Sequence, residues 1–264
     1  MEVIVENIKY ELDTHNKTAK VMDFIGKVVD VIIPESVECK SKKYKVTEIE
    51  DSAFAYCTSL NSVTIPNSVT EIGKWAFYYC KNLETITIGN SVTHIGNSAF
   101  YECNSLKSVN IPNGVRYIGE GAFYDCYCLT SIEIPNSVTY IGDSAFGFVG
   151  NKIPKRYTED GKLIAYKAFN ADMTCKTFQY EVGKTFEFKR QIKCCIRGFH
   201  ACTKLLDVFN YYNGEIGTDI VIHEVYLSGD IDEAKMSDSK ICSNKIEIGR
   251  RLTIEDINEI INRK

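Results

Sequence analysis

The stretch that decides the fold runs from 65 to 77 and reads Ile65-Pro66-Asn67-Ser68-Val69-Thr70-Glu71-Ile72-Gly73-Lys74-Trp75-Ala76-Phe77. Its closing Ala-Phe pair recurs at 53–54, 99–100, 122–123 and 145–146, always one 23-residue step apart. Ile49, Ile72, Ile95, Ile118 and Ile141 keep that step, as do Leu60, Leu83, Leu106 and Leu129, and Cys57, Cys80, Cys103 and Cys126. A fixed period of this length, held in several registers at once without an insertion, is the mark of a stacked repeat architecture. Within one unit, Leu60 to Ile65 alternates apolar and polar residues. This predicts a short strand with Val63 and Ile65 inward and Ser62 and Thr64 outward. Pro66 ends the strand because it has no N–H to give to a ladder. Val69 and Ile72 point inward again before Gly73 turns the chain, and a short helical turn carrying Ala76 and Phe77 is expected to close the coil.

Working outward, 2–33 alternates through Ile8, Tyr10, Leu12, Ala19 and Val21 about a turn at 14–17. This predicts a β-hairpin cap and first strand that cover the open end of the array. Ile33-Pro34 starts an irregular repeat about nine residues longer than the others, and the solenoid is expected over 34–148. Residues 149–162 read as a linker, with Gly150-Asn151, Pro154 and Asp160-Gly161 as turn signals. Residues 163–264 are the size of one further domain. Strands are predicted there at 162–169, 177–182, 219–228 and 244–248. Helices are predicted at 203–212, capped by Thr203, and at 254–262, where Thr253 and Asp256 form a capping pair. The fold class expected is a β-rich, right-handed leucine-rich-repeat solenoid with a C-terminal α+β domain.

Composition narrows the function classes. The chain of 264 residues carries a net charge of −4 and 25% charged residues, and no basic block beyond the interrupted Lys40, Lys42, Lys43, Lys45 group, so nucleic acid is not an expected partner. No run approaches the ~18 apolar residues of a spanning helix. The N-terminus shows no basic segment leading into an apolar core, so a cytoplasmic protein is expected if Met1 is the native start, and a surface or secreted one if a leader has been removed. The cysteine ladder reads as small buried thiols rather than disulfides, although neighbouring coils bring such residues within bridging distance.

The repeat resembles the BspA-type, or treponemal-type, leucine-rich repeats of bacterial and protist proteins. The resemblance rests on Ile-Pro-Asn-Ser-Val-Thr-x-Ile-Gly-x-x-Ala-Phe at 65–77, 111–123 (with Gly114 and Arg116) and 134–146, and on the Cys-x-x-Leu steps at 57–60, 80–83, 103–106 and 126–129. It spans roughly 28–148. The unit at 88–100 departs by carrying Gly89 for proline, which is expected to alter the turn and not the coil. The resemblance implies an arc with a parallel sheet on one face and a role in adhesion or recognition. Beyond it, Lys167-Ala168-Phe169-Asn170, 178–184, Gly198-Phe199-His200-Ala201-Cys202 and 207–212 resemble a domain of unknown function of phage and bacterial proteins, with Ala168 where glycine is expected.

For a binding surface the outward strand positions are the candidates: Ser62, Thr64, Thr85, Thr87, Ser108, Asn110, Ser131 and Glu133. They are small and polar and lack the Trp, Tyr and Arg of a protein hot spot. Tyr78, Tyr79, Tyr101, Tyr124 and Tyr127 offer a second candidate along an edge. The expected partner is a protein or a glycan, with no cofactor. Metal binding by Cys194, Cys195, His200 and Cys202 is not expected, because adjacent cysteines and a His-x-Cys step are poor chelate spacings. Catalytic candidates are His200, Cys202 and Glu224, as a Cys–His nucleophile or as parts of an ADP-ribosyltransferase-like or other nucleotide-dependent transferase. That last reading rests on the analogy of a Gly-aromatic strand, a helix and a long strand. The bland alternative makes His200 a boundary residue. It makes His223, which shares a strand face with Val221, Val225 and Leu227, a satisfied buried histidine.

Overall fold

The computed structural model describes residues 1–147, 155–192, 194, 198–212, 214–216, 219–233 and 239–262. It divides into two compact units, Met1–Asn151 and Lys152–Lys264.

In the first unit each coil contributes two short parallel strands. The longer ones are Ser62–Thr64, Thr85–Thr87, Ser108–Asn110 and Ser131–Glu133. The shorter ones are Glu71–Ile72, His94–Ile95, Tyr117–Ile118 and Tyr140–Ile141. Partners lie one repeat apart: Ser62 pairs with Thr85, and Ile72 with Ile95. Identical residues therefore stack, and the core is a set of ladders. Phe54, Phe77, Phe100 and Phe123 are fully buried with ring centroids 5.2 Å apart and nearly parallel planes. That offset-stacked arrangement suits the ring quadrupole.

The Ala-Phe segment is not helical. Trp75 and Tyr79 sit at φ 58° and 63°, and Ser52, Tyr56, Ser98, Glu102, Asp125 and Ser144 repeat the left-handed conformation in other coils. A helix would bond each N–H within its own turn. Here alternate N–H groups reach the next coil: Trp75 to the carbonyl of Asn97 (2.9 Å), Phe77 to Ala99 (2.8 Å) and Tyr79 to Tyr101 (2.8 Å). The left-handed residues turn the intervening peptides along the stack, and the bonds gained offset a cost of roughly 1–2 kcal/mol per residue.

The repeat carrying Gly89 keeps the coil but opens one ladder. The sheet of the longer strands is in two pieces, Asp30–Ile32 through Thr85–Thr87 and Ser108–Asn110 with Ser131–Glu133. A Cβ at Gly89 would lie 2.3 Å from the Pro66 carbonyl oxygen, so only glycine fits so close to the preceding coil.

The cap is larger than a hairpin. Ile8–Asp13 and Thr18–Phe24 form the expected pair, Glu2–Val5 adds an outer antiparallel strand, and Thr18–Phe24 then runs parallel to Lys42–Ile49. The extra residues of the irregular repeat make a second hairpin, Ser36–Cys39 with Lys42–Ile49, turned by Lys40 and Ser41 at φ 50° and 59°.

In the second unit an antiparallel sheet carries the long strands Leu163–Asn170, Ile220–Glu233 and Lys240–Arg251, together with Phe199–Cys202 and Thr185–Glu187. Arg156–Tyr157 pairs with Leu163–Ile164 at its edge. One face buries Leu163, Ala165, Phe169, Val221, Val225, Leu227, Ile246 and Ile248. The 177–182 strand shrinks to Phe178–Gln179, in a small ribbon with Thr174–Cys175. The 203–212 helix is a 3-10 turn over Leu205–Asn210 without a side-chain cap, and the Thr203 N–H goes instead to the Ser239 carbonyl. Leu205, Leu206, Asp207, Val208 and Phe209 are all buried, and the Asp207 carboxylate accepts the Ser239 N–H at 2.9 Å. The final helix, Ile254–Ile261, has the predicted capping box between Thr253 and Asp256.

Candidate functional site

On the solenoid, Thr64, Thr85, Thr87, Ser108, Asn110 and Glu133 are exposed and Ser62 is half-buried, its hydroxyl donating to Asp30 at 2.5 Å. The side chain of Ser131 lies outside the described residues. This face is mostly small and polar, with Asp30, Glu133 and the neighbouring Lys107–Glu84 pair at 2.6 Å as charges on or beside it.

A different edge gathers the aromatics. Tyr78, Tyr101 and Tyr124 stack at 5.2 and 4.9 Å, and Tyr56 meets Tyr78 at 5.3 Å and Tyr79 at 5.5 Å. Tyr56 is 65% and Tyr127 53% exposed. Lys74 lies 3.8 Å over the Trp75 ring, and Lys81 lies 4.0 Å over Tyr79 and 3.8 Å from Glu102. Burial among these neighbours, with Asp125 close by, pushes the Tyr101 phenol up to about 12. A second, shorter aromatic run that the sequence reading missed stacks His94, Tyr117 and Tyr140 at 5.8 and 4.7 Å. The 23-residue step from 94 to 117 to 140 is the signal that could have found it.

The cysteine ladder is structural. The Cys80, Cys103 and Cys126 thiols donate to the carbonyls of Phe54, Phe77 and Phe100 at 3.1, 3.3 and 3.2 Å, and burial pushes all three well above the ordinary thiol range. Cys57, Cys80, Cys103 and Cys126 are thiols and not disulfides.

In the second unit a pocket of about 720 Å³ opens beside the strand Phe199–Cys202. Its wall holds a residue that sequence reasoning passed over, Lys167, only 4% exposed. The ammonium donates to the His200 carbonyl (3.1 Å), the Tyr212 hydroxyl (3.3 Å) and the Cys175 sulfur (3.5 Å), and lies 5.4 Å from the Phe169 ring. Burial holds its pKa below the usual lysine range, with Cys175 pulling the other way. Lys176, Lys240 and Glu187 also line the pocket, together with Phe178, Phe186 and Phe199. Cations and aromatic rings are interleaved in its walls, Lys240 lying 3.8 Å over the Tyr211 ring.

Of the predicted catalytic residues, His200 and Cys202 line this pocket and Glu224 does not. Glu224 accepts a hydrogen bond from the Tyr226 hydroxyl at 2.9 Å. His200 is held down to about 4 by burial and by the positive charges of Lys240, Lys167 and Lys176. Of the four residues weighed for a metal, Cys195 lies outside the described residues. Cys194 and His200 do come together, and the third member of their cluster is Cys242, which the sequence reading had not considered. His223 is 2% exposed, and its Nδ1 donates to the Gly249 carbonyl at 3.0 Å. Nothing in the pocket requires it.

The repeat ladders are the observation that decides the family. A BspA-type leucine-rich repeat region matches in six copies over residues 34–153. The crystal structure of the Treponema pallidum leucine-rich repeat protein is 31% identical, with a TM-score of 0.51 over 56% of this chain and 67% of that one. The chain belongs to the BspA-type leucine-rich repeat proteins. This BspA-type protein is also similar to a leucine-rich repeat protein from Bacteroides capillosus (27% identity, TM-score 0.45, covering 50% of this chain and 96% of that one). It is similar as well to a leucine-rich cell surface protein from Faecalibacterium prausnitzii (31% identity, TM-score 0.46), covering 56% of this chain and 46% of that one. Residues 163–260 match a domain of unknown function (DUF7666). No curated protein matches the chain. No helix among the described residues is long and apolar enough to cross a membrane.

Proposed function

We propose that this leucine-rich repeat protein is a non-enzymatic recognition protein whose solenoid binds a protein partner along its tyrosine edge. The observation that carries this reading is the gathering of Tyr56, Tyr78, Tyr79, Tyr101 and Tyr124 into one contiguous row, with Tyr56 and the separate Tyr127 largely in solvent. Tyrosine gives large contact area at small entropic cost and is enriched at protein hot spots. The threonine and serine rows of the strand face offer neither. A glycan is the weaker candidate for this edge, because a sugar packs on an open aromatic face and the stacked rings cover one another's faces. A role at the cell surface is part of the same proposal, and the tyrosine edge serves it wherever the protein is placed.

The test compares three forms in affinity capture from the native host material followed by mass spectrometry: wild type, Tyr56→Ser with Tyr127→Ser, and Thr64→Lys with Thr87→Lys and Asn110→Lys. The proposal expects a specific protein captured by the wild type and by the strand-face variant, and lost from the tyrosine variant. Loss only from the strand-face variant would move the site to Ser62, Thr64, Thr85, Thr87, Ser108, Asn110, Ser131 and Glu133. Saturable binding on a glycan array that depends on the tyrosines would overturn the choice of a protein.

One observation favours a second reading, that the C-terminal domain is an enzyme. A buried lysine in a pocket shared with His200, Cys202 and Tyr212 is a constellation that chemistry can use. The absence of Glu224 from the described walls of that pocket counts against the transferase form of this reading. A thermal-shift screen with NAD and other nucleotides decides it: no shift sinks the nucleotide-dependent version.

A further inference from the structure

Three elements of the second unit bring Cys194, His200 and Cys242 together. His200 lies on the strand Phe199–Cys202 directly opposite Cys242 on Lys240–Arg251. Side chains directly opposite on adjacent strands stand about 4.5–5.5 Å apart at Cβ. On its other flank Cys242 pairs with Asp232 of Ile220–Glu233. The Asp232 carboxylate accepts the Cys194 N–H at 2.8 Å, which pins the incoming segment over the same spot. The Sγ atoms of both cysteines and a ring nitrogen of His200 all lie within 4.8 Å of one another. Cys242 is fully buried and the other two half-buried.

We infer that Cys194, His200 and Cys242 form a binding site for a thiophilic divalent cation, zinc in the first instance. Two sulfurs and an imidazole are the donor set that zinc takes, and with bonds of about 2.3 Å to sulfur and 2.0–2.1 Å to nitrogen the ligand atoms of a tetrahedron stand roughly 3.5 Å apart. A closure of about 1 Å brings this cluster to that spacing. Each thiol loses its proton to solvent on binding, so the two thiolates balance the dication. Three protein ligands leave the fourth position to water, the open form of a zinc site. Asp232 is a positioning residue: it touches no metal and acts by fixing the Cys194 backbone. The site stands apart from the solenoid cysteines, whose one thiol per coil supplies no second donor type.

The experiment uses the full chain, reduced and stripped by a chelator, then titrated with cobalt(II) as a spectroscopic stand-in. A thiolate-to-cobalt charge-transfer band in the near ultraviolet, strong visible bands of tetrahedral cobalt, and their displacement by one equivalent of zinc are the expected results. Cys194→Ser and His200→Gln weaken binding about tenfold or more, and Asp232→Asn weakens it while leaving the charge-transfer band in place, since outer partners alone are worth about 10–100-fold. Cys128→Ser, at an exposed solenoid thiol, leaves the titration unchanged. Far-ultraviolet circular dichroism checks that each variant is folded; should Cys242→Ser fail to fold, the half-buried Cys194→Ser carries the test. A missing charge-transfer band, a band of unchanged intensity and midpoint in Cys194→Ser, or a Cys194–Cys242 disulfide in the protein as isolated overturns the site.

Discussion

At the residue scale, His223 shows how a buried polar group is satisfied without serving a site. Val221 and Val225 flank it on its own strand, and Lys167 and Arg251 pair opposite it on the two neighbouring strands. Phe169 meets it edge-on at 5.6 Å, and the Gly249 carbonyl accepts its Nδ1–H. Burial, reinforced by Arg251, holds its pKa below the ordinary 6.5 although the Gly249 bond works in the opposite direction. A histidine with a depressed folded pKa is neutral in both states above about 6.5. As the pH falls from there toward the folded value, the unfolded chain takes up a proton that the folded one refuses, so stability is lost in that window. Urea midpoints at pH 7.5 and pH 5.0 are expected to differ more for the wild type than for His223→Leu. Equal differences in the two proteins would show that the ring is solvated.

At the scale of elements, the thiol ladder carries the opposite sign. Cys80, Cys103 and Cys126 have raised folded pKa values through burial, so their contribution is complete below the unfolded thiol value of 9.0 and is lost as pH rises above it. Thermal melts from pH 8 to pH 10.5 should show a fall that is shallower in the triple variant Cys80→Val, Cys103→Val, Cys126→Val, which packs the same positions without an ionisable group. An unchanged slope would place the alkaline sensitivity elsewhere, the raised phenols of Tyr10 and Tyr101 being the next candidates.

The same ladder marks what the sequence made legible. Cys57 to Cys126, the Ala-Phe pairs and the Val-x-Ile strands were readable because each residue's partner is its own copy one repeat away. The left-handed turns at Trp75 and Tyr79 were not, because their reason is a bond to the next coil, and locally Ala-Phe between polar residues looks helical. Lys167 was missed because a lysine between Tyr166 and Ala168 reads as a solvated strand position. Its burial depends on Tyr212 and Cys175, which come from other parts of the chain. Cys242 was missed for a similar reason: its relation to His200 is a cross-strand register, and spacing along the chain does not report it.

At the scale of the whole molecule, the solenoid is quasi-one-dimensional, with its stability close to a sum of units and nearest-neighbour interfaces. Deleting residues 88–110 removes one complete period and joins Thr87 to Ile111. Phe77 is then set against Phe123 in a stack whose spacing is 5.2 Å throughout this stretch. The shortened chain is expected to fold, with unchanged circular dichroism per residue and a denaturant midpoint lowered by the loss of one interface. Deleting half of that segment breaks every ladder at once and should give insoluble or unfolded protein. If the two deletions behave alike, the coils are not the units of stability.

The bonds joining one coil to the next all lie along the stack, from Trp75–Asn97 and Phe77–Ala99 to Ser62–Thr85. A force applied to the two ends of the solenoid therefore loads one inter-coil seam at a time, in the opening geometry of a zipper. Coils should peel away singly from an end, each paying out the 23 residues that separate paired positions, or about 75 Å of extended chain. Under tension the array would then act as an extensible tether that yields in equal steps, and any coils still stacked keep their edge intact.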